Sequence, residues 1–351
     1  MGQFTSSDSS IPPVGHDMFG GPTPIVDWWQ PLTRCRPAIG ADLPPAGSPL
    51  RVAFVGQRTY FELCSQMQPS PALQTSFVDY RDGEDPGVLT AELRSCEPDV
   101  VVVFRPEVVP SGVFDDMQFL TVGYLTEPLP LRGPGEHEDL DRRLHTLAKL
   151  DPTQFDRVIS FDPGIVETAS RFTPIWRSRP LPVDDRVFAW HEMPEDPRAV
   201  FIGRSTPHRE SFLGQARHEC DLLHVEHGVH GEELLDLLHR RCDVAVNLHN
   251  EDYPTFENRV AVHLAAGHLV ISEPLRPLHS LEQGSDFLEI SSPHELLALL
   301  GRISSQPSAY ELTRLRGRQK AEQFRASRVW ARLIHDLLLD VAAFGRRPGA
   351  L

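Results

Sequence analysis

The stretch Pro254–Leu275, PTFENRVAVHLAAGHLVISEPL, decides the fold. It opens polar, turns apolar with helical spacing, reaches Gly267, and continues as the β-branched run LVIS. A helix that stops on glycine and hands over to a buried strand is one half of a βαβ unit. The start of that helix is the informative part. Unpaired N–H groups at a helix N-terminus bind anions. A cation there is disfavoured by the helix dipole unless an anion is present. Arg259 in the first turn therefore points to phosphate, or else to an ion pair with Glu257 or Asp252. Glu257 and Asn258 can hydrogen-bond the hydroxyls of a sugar or ribose, or cap the helix.

The same alternation extends outward in both directions. Towards the C-terminus come DFLEIS as a strand, PHELLALLGRI as a helix, and two long helical stretches, YELTRLRGRQKAEQFR and RVWARLIHDLLLDVAAF. Towards the N-terminus, RAVFIG, LLHVEH and VAVNLH read as strands separated by the helices RESFLGQARHE and GEELLDLLHRR. The proline-rich link PIWRSRPLPVDDRVF precedes them. Before the link a first series runs RVAFVG, SFVDY, LTAELRSC, DVVVVFRP, FLTVGYLTEP, EHEDLDRRLHTLAKL, RVISFD and GIVETASRF. Short apolar strands alternating with amphipathic helices specify parallel sheets. We expect two Rossmann-like, doubly wound domains facing a cleft, at 49–180 and 181–325. A Pro/Gly/Ser-rich segment, 1–48, precedes them, and a helix at 326–351 packs back across the domains.

Composition narrows the partners. The 351 residues carry a formal charge of −15, which argues against a nucleic-acid backbone as main partner. No run reaches the roughly 18 apolar residues of a transmembrane helix. The first residues, MGQFTSSDSS, lack the charged and apolar regions of a secretory leader. The 5 cysteines are scattered without a Cys-x-x-Cys pair, which suits reduced thiols and a cytoplasmic location.

In open parallel sheets, ligands sit beyond the carboxyl ends of the strands. Gly203 and Arg204 follow one strand, where glycine lets a phosphate approach the backbone and arginine binds its oxygens. Ser205 or Thr206 serves beside them as helix cap or ligand, with Arg209 flanking. Asn247 and His249 end another strand, facing the cleft or filling a structural role. In the first domain Gly56 and Arg58 follow the first strand. Glu127 and Asp162 end strands on the same rim, where either can orient an acceptor hydroxyl or act as base. His224, His227 and His230 recur every three residues, but a strand running into a loop does not bring three imidazoles together, so we expect no metal site there. Asp139 and Asp141 fall in a charged helix and read as solvated surface.

Over residues 155–345 the chain resembles the CgeB-like glycosyltransferases, a branch of the two-domain GT-B class. The resemblance rests on FDRVISFDPGIVE, RPLPVDDRVF, AVFIGRSTPHRESFL, HGVHGEELLDLLHRRCDVAVNLHN and ENRVAVHLAAGHLVISEPL, in that order. GYLTEPLP is placed like the acidic loop of that family. The resemblance implies a GT-B-like fold and sugar transfer from a nucleoside-diphosphate sugar donor, without a metal or resident cofactor, to an acceptor the sequence does not identify. It implies a retaining hexosyltransferase, in which the donor contacts are Gly56, Arg58, Gly203, Arg204, Asn247, His249, Glu257, Asn258 and Arg259. The catalytic groups would be Glu127, Arg204 and Arg259. One position departs: many relatives carry a ribose-binding glutamate five residues before the helix-ending glycine, and here Val262 stands there. That departure keeps open a protein that binds nucleotide without transfer; the tryptophan-bearing N-terminal segment separately keeps open a scaffold assembled through it. A sugar-nucleotide epimerase shares the architecture.

Overall fold

The computed structural model describes residues 48–129, 138–226, 228–251 and 253–346. The expected N-terminal segment therefore falls almost wholly outside the described residues, as do His227 and Asp252.

The first sheet contains β1 (Leu50–Gly56), β2 (Leu73–Asp79), β3 (Val100–Phe104), β4 (Leu120–Leu125), β5 (Arg157–Ser160) and β6 (Arg177–Ser178). All pairings are parallel, in the order β2-β1-β3-β4-β5-β6. Strands such as Val100–Phe104 are buried at every position because helices cover both faces, so their sequence shows no polar alternation. Helix α1 (Pro86–Cys96) begins where Asp85 caps the Gly87 N–H and proline occupies the first turn. Helix α2 (Glu138–Leu147) connects β4 to β5. The segment after β5 forms a short turn of helix, Val166–Ala169, within the expected GIVETASRF. β6 lies inside the expected proline-rich link; two residues are too few to carry a periodic signal.

The second sheet contains β7 (Ala199–Ile202), β8 (Leu222–Val225), β9 (Val244–Asn247), β10 (Leu269–Ser272) and β11 (Leu288–Glu289), all parallel, in the order β11-β10-β9-β7-β8. Its side chains divide by strand period. Phe201, Val246 and Ile271 face α3 (Pro207–Glu219) and a later helix, Pro293–Ser305, in one apolar cluster. Val200, Ala245 and Val270 face α4 (Gly231–Arg240) and α5 (Asn258–Ala265) in another. Helix α6 is Pro293–Ser305, α7 is Glu311–Lys320 and α8 is Ala326–Phe344.

Helix α8 returns to the first sheet. Its Trp330 is fully buried against Phe54, 4.9 Å between ring centroids, and donates its indole N–H to the Cys64 carbonyl at 2.9 Å. Outward and return crossings run side by side. Val183 donates to the Phe324 carbonyl at 2.7 Å, and Ala326 donates to the Val183 carbonyl at 2.8 Å. Asp184 is pinned to the first domain, accepting from the Met67 N–H at 2.6 Å.

In both sheets the chain steps outward by one strand and then back across the first, giving the order 2-1-3 at the start of each domain. The switch points lie between β1 and β3 and between β7 and β9, and the crevice beyond such a reversal is where ligands enter doubly wound sheets. Among the described residues no helix is long and apolar enough to cross a membrane.

Candidate functional site

At the switch point of the second sheet three guanidinium groups meet. Arg259, in the first turn of α5, donates from Nη1 to the Ile202 carbonyl at 2.7 Å and pairs through Nη2 with Glu257 at 2.7 Å. Arg209, in the first turn of α3, is almost fully buried. Its Nε donates to the carbonyls of Leu248 and His249 at 3.1 and 3.0 Å, and its Nη1 to the Arg204 carbonyl at 2.9 Å. It therefore ties the loop after β7 to the loop after β9. Both guanidinium groups lie over the Phe201 ring, 5.4 and 5.5 Å from its centroid. Arg204 is exposed beside them, with no ion pair among the described residues.

The electrostatics show an excess of positive charge. Burial, then the neighbouring Arg259 charge, pulls the Arg209 guanidinium down to about 9, against Glu257; Arg204 pulls the same way as Arg259. It remains charged at neutral pH, and its cost is what an arriving anion would relieve. Burial alone would raise the Glu257 carboxyl. Arg259 and Arg209 outweigh it and hold the group below the ordinary carboxylate range. Three guanidinium groups against Glu257, and Glu273 further off, leave a net positive charge that suits an anion.

The other residues named from sequence fall in different places. Gly203 is needed for space: a Cβ there would collide with the Arg259 guanidinium. Of Ser205 and Thr206, Thr206 is the cap, accepting from the Arg209 N–H at 3.3 Å, while Ser205 donates to Glu210 at 2.6 Å. Glu257 stands at the N-cap position without capping, because its carboxylate is turned to the arginines. Asn258 reaches across to the first domain and donates to Cys64 Sγ at 3.0 Å; its Oδ1 is buried without a partner among the described residues. Asn247 donates to Ser272 Oγ at 2.9 Å, inside the sheet. The backbone N–H of His249 donates to Glu273 at 2.6 Å and its Nε2 donates to the Pro274 carbonyl at 2.8 Å, which leaves Nδ1 as a buried acceptor without a partner. Val262 is buried in the apolar cluster under α5.

In the first domain, Gly56 accommodates Phe104 and Phe61, each 3.1 Å from where its Cβ would stand. Arg58 turns towards β2, its guanidinium 4.9 Å from the Phe77 ring centroid and its backbone N–H on Asp79 at 2.8 Å. Asp162 caps its own short turn through the Gly164 N–H at 2.7 Å. Glu127 lies between Arg143 at 2.9 Å and Arg105 at 3.4 Å, on the wall of a cavity of about 200 Å³ beyond β3, β4 and β5. Burial raises the Tyr253 phenol above its ordinary value, with the charges of Arg143 and Glu127 from the first domain and of Glu257 from the second acting on it.

Among the described residues, no group of three or more His, Cys, Asp or Glu is placed to hold a metal. His224 donates from Nε2 to the Gly203 carbonyl at 2.9 Å and accepts from Arg217 at Nδ1, and His230 bonds the Gly228 carbonyl.

Sequence reasoning set Arg209 aside as a flanking residue. The signal that exposed Arg259, a cation in the first turn of a helix, was present at Arg209 as well. Tyr253 and Glu107, a buried acid on the cavity wall, carried no local signal.

No family model matches the chain, and no curated protein matches it in sequence. Solved structures do match in fold. Anabaena Alr3699/HepE in complex with UDP superposes with a TM-score of 0.51 at 10% identity, covering 82% of this chain and 99% of that one. Sucrose-phosphate synthase from Thermosynechococcus elongatus gives 0.52 at 14%, covering 83% and 89%. AviGT4, a glycosyltransferase involved in avilamycin A biosynthesis, gives 0.50 at 13%, covering 84% and 98%. Two parallel α/β sheets of 6 and 5 strands with these neighbours make the fold GT-B-like.

Proposed function

We propose that this protein is a glycosyltransferase that moves a sugar from a nucleoside-diphosphate sugar to an acceptor, with the donor held by the second domain. The observation that carries the reading is the cluster of Arg204, Arg209 and Arg259 at the switch point of the second sheet, with Glu257 as the paired acid. A GT-B-like fold whose neighbours include a UDP complex supports it, as does the ordered set of CgeB-like segments. In transfer, the acceptor hydroxyl oxygen bonds to the anomeric carbon as that carbon's bond to the diphosphate breaks; the electron pair leaves on the phosphate oxygen, which takes up the hydroxyl proton. Arg204 and Arg259 stabilise that growing charge, and Arg209 fixes both loops that present them. On this reading the arginines do the work a metal does elsewhere, and the reaction is metal-independent, retaining and cytoplasmic. Glu127, engaged by two arginines, orients the acceptor side.

A thermal-shift panel of UDP, GDP, dTDP, CDP and ADP, without and with magnesium, tests the donor site. A nucleotide at about 100 times its Kd adds roughly 2.7 kcal/mol of stability. One nucleotide should shift the transition, and the shift should vanish in Arg204→Ala and Arg259→Ala. No shift with any of them at millimolar concentration, in folded protein, overturns the reading.

Val262 favours a second reading, a nucleotide-sugar-binding protein without transfer, because its apolar side chain cannot hold a ribose hydroxyl. Nucleotide binding without release of diphosphate from any donor and acceptor pair would select it.

A further inference from the structure

We propose that the cavity beyond β3, β4 and β5 of the first domain is a binding site for a small neutral polyhydroxylated ring, a monosaccharide or cyclitol, recognised by Glu107 and Thr126. As the acceptor side of the proposed transfer it rests on that reading, but its occupancy is measurable without nucleotide.

The cavity of about 200 Å³ admits a single ring. Glu107 is 6% exposed and lines it. Its Oε1 accepts from Arg105 Nε at 3.1 Å, while its Oε2 is buried with no partner among the described residues. Thr126 Oγ1, also on the wall, is likewise buried without a partner among the described residues. Burial pushes the Glu107 carboxyl above the usual carboxylate range, with Arg105 opposing. A carboxylate oxygen shielded from water and left unpaired costs stability, and a hydroxyl seated in the cavity removes that cost.

Arg105 and Arg143, which line the wall together with Arg142, are engaged by its acids. Arg105 Nε is shared between Glu107 and Glu127, and Arg143 Nη1 is shared between Glu127 and the Pro128 carbonyl at 2.8 Å. The wall therefore offers unpaired oxygens that need donors. An anion would face the buried Glu107 charge, and an ammonium would face the arginines. A hydroxyl supplies a donor without either repulsion. Leu125, Leu129 and Ile165 supply the apolar part of the wall, which suits the C–H face of a sugar ring. Arg105 aims into the cavity from a left-handed backbone, φ 60°, held by its N–H on the Tyr124 carbonyl at 3.0 Å.

Saturation-transfer NMR on the full chain tests the site, with glucose and myo-inositol as neutral probes and glucuronate and glucose 6-phosphate as charged ones. We expect the neutral probes to saturate at tens of millimolar and to weaken about tenfold or more in Glu107→Gln and in the isosteric Thr126→Val. Circular dichroism checks that both variants fold. The site is overturned if no neutral probe saturates in folded protein, or if both folded variants bind it as the parent does. Tighter binding of the charged probes overturns the neutral class. Failure here with a normal nucleotide shift removes only the acceptor assignment; failure of the nucleotide shift with normal sugar saturation removes only the donor reading.

Discussion

Gly203→Ala isolates the geometry of the arginine cluster. The new methyl would meet Arg259 Nη1, and its next neighbours are Phe201 Cζ at 3.0 Å and Cε1 at 3.4 Å. Phe201 is fully buried and cannot yield, so the guanidinium must. Displacing Arg259 breaks its 2.7 Å bond to the Ile202 carbonyl. A hydrogen bond to a charged group contributes about 1.5–3 kcal/mol, and that is the expected loss of stability. Misplacing the same guanidinium removes one charge-assisted contact to a phosphate, so nucleotide affinity should fall roughly 10- to 100-fold. The discriminating assay is a double-mutant cycle with Arg259→Ala, read by urea denaturation and by calorimetric titration of the nucleotide found in the panel. With Arg259 removed only the 3.0 Å approach of Phe201 and the positive φ of Gly203 remain, so Gly203→Ala should cost less, a coupling of about 1 kcal/mol or more. Equal costs of Gly203→Ala in the two backgrounds would refute the steric argument. Unchanged nucleotide affinity in the folded single variant would refute the placement of the phosphate.

Arg209→Leu should destabilise the protein by at least about 3 kcal/mol in urea, because it leaves the carbonyls of Leu248, His249 and Arg204 without their donor. Arg209→Lys should not restore it, since one ammonium lacks the fork that spans both loops. A pH series should expose the buried pair His263 and His268. His268 donates from Nε2 to the Leu238 carbonyl at 2.7 Å and accepts at Nδ1 from His263 at 2.9 Å, so both rings are held neutral. Burial depresses His268 to about 4 from its ordinary 6.5. The unfolded chain then binds the proton first, so stability is intact above pH 6.5 and declines as pH falls towards 4. The loss from this group amounts to about 3 kcal/mol, and His268→Gln should flatten the pH dependence.

How much of the site was legible in the sequence differs residue by residue. Arg259 was legible because a cation in the first turn of a helix conflicts with the helix dipole, and that conflict is visible in one short window. Arg209 makes the same conflict in the first turn of α3, and its side chain spans the loops after β7 and β9. Asn258 stands next to Arg259 in the chain, yet its side chain crosses to Cys64 in the other domain, 194 positions away. Arg58 follows the first strand as a ligand-binding residue would, and packs on Phe77 instead. Glu107 and Thr126 are on separate loops, and only the adjacency of β3 and β4 places them on one cavity wall.

The sequence by itself determined the alternation of buried strands and amphipathic helices, and with it two parallel doubly wound sheets. That pattern is local: side chains repeat every 2 residues in a strand and every 3.6 in a helix, so a short window reports which face is buried. Tertiary structure alone decided which loops lie together at the switch points, which arginine pairs with Glu257 and which spans two carbonyl-bearing loops, and which acids share a cavity. Those outcomes depend on strand order and on contacts between residues far apart in the chain. No periodicity records them, because the partner of each charge is fixed by the packing of whole elements.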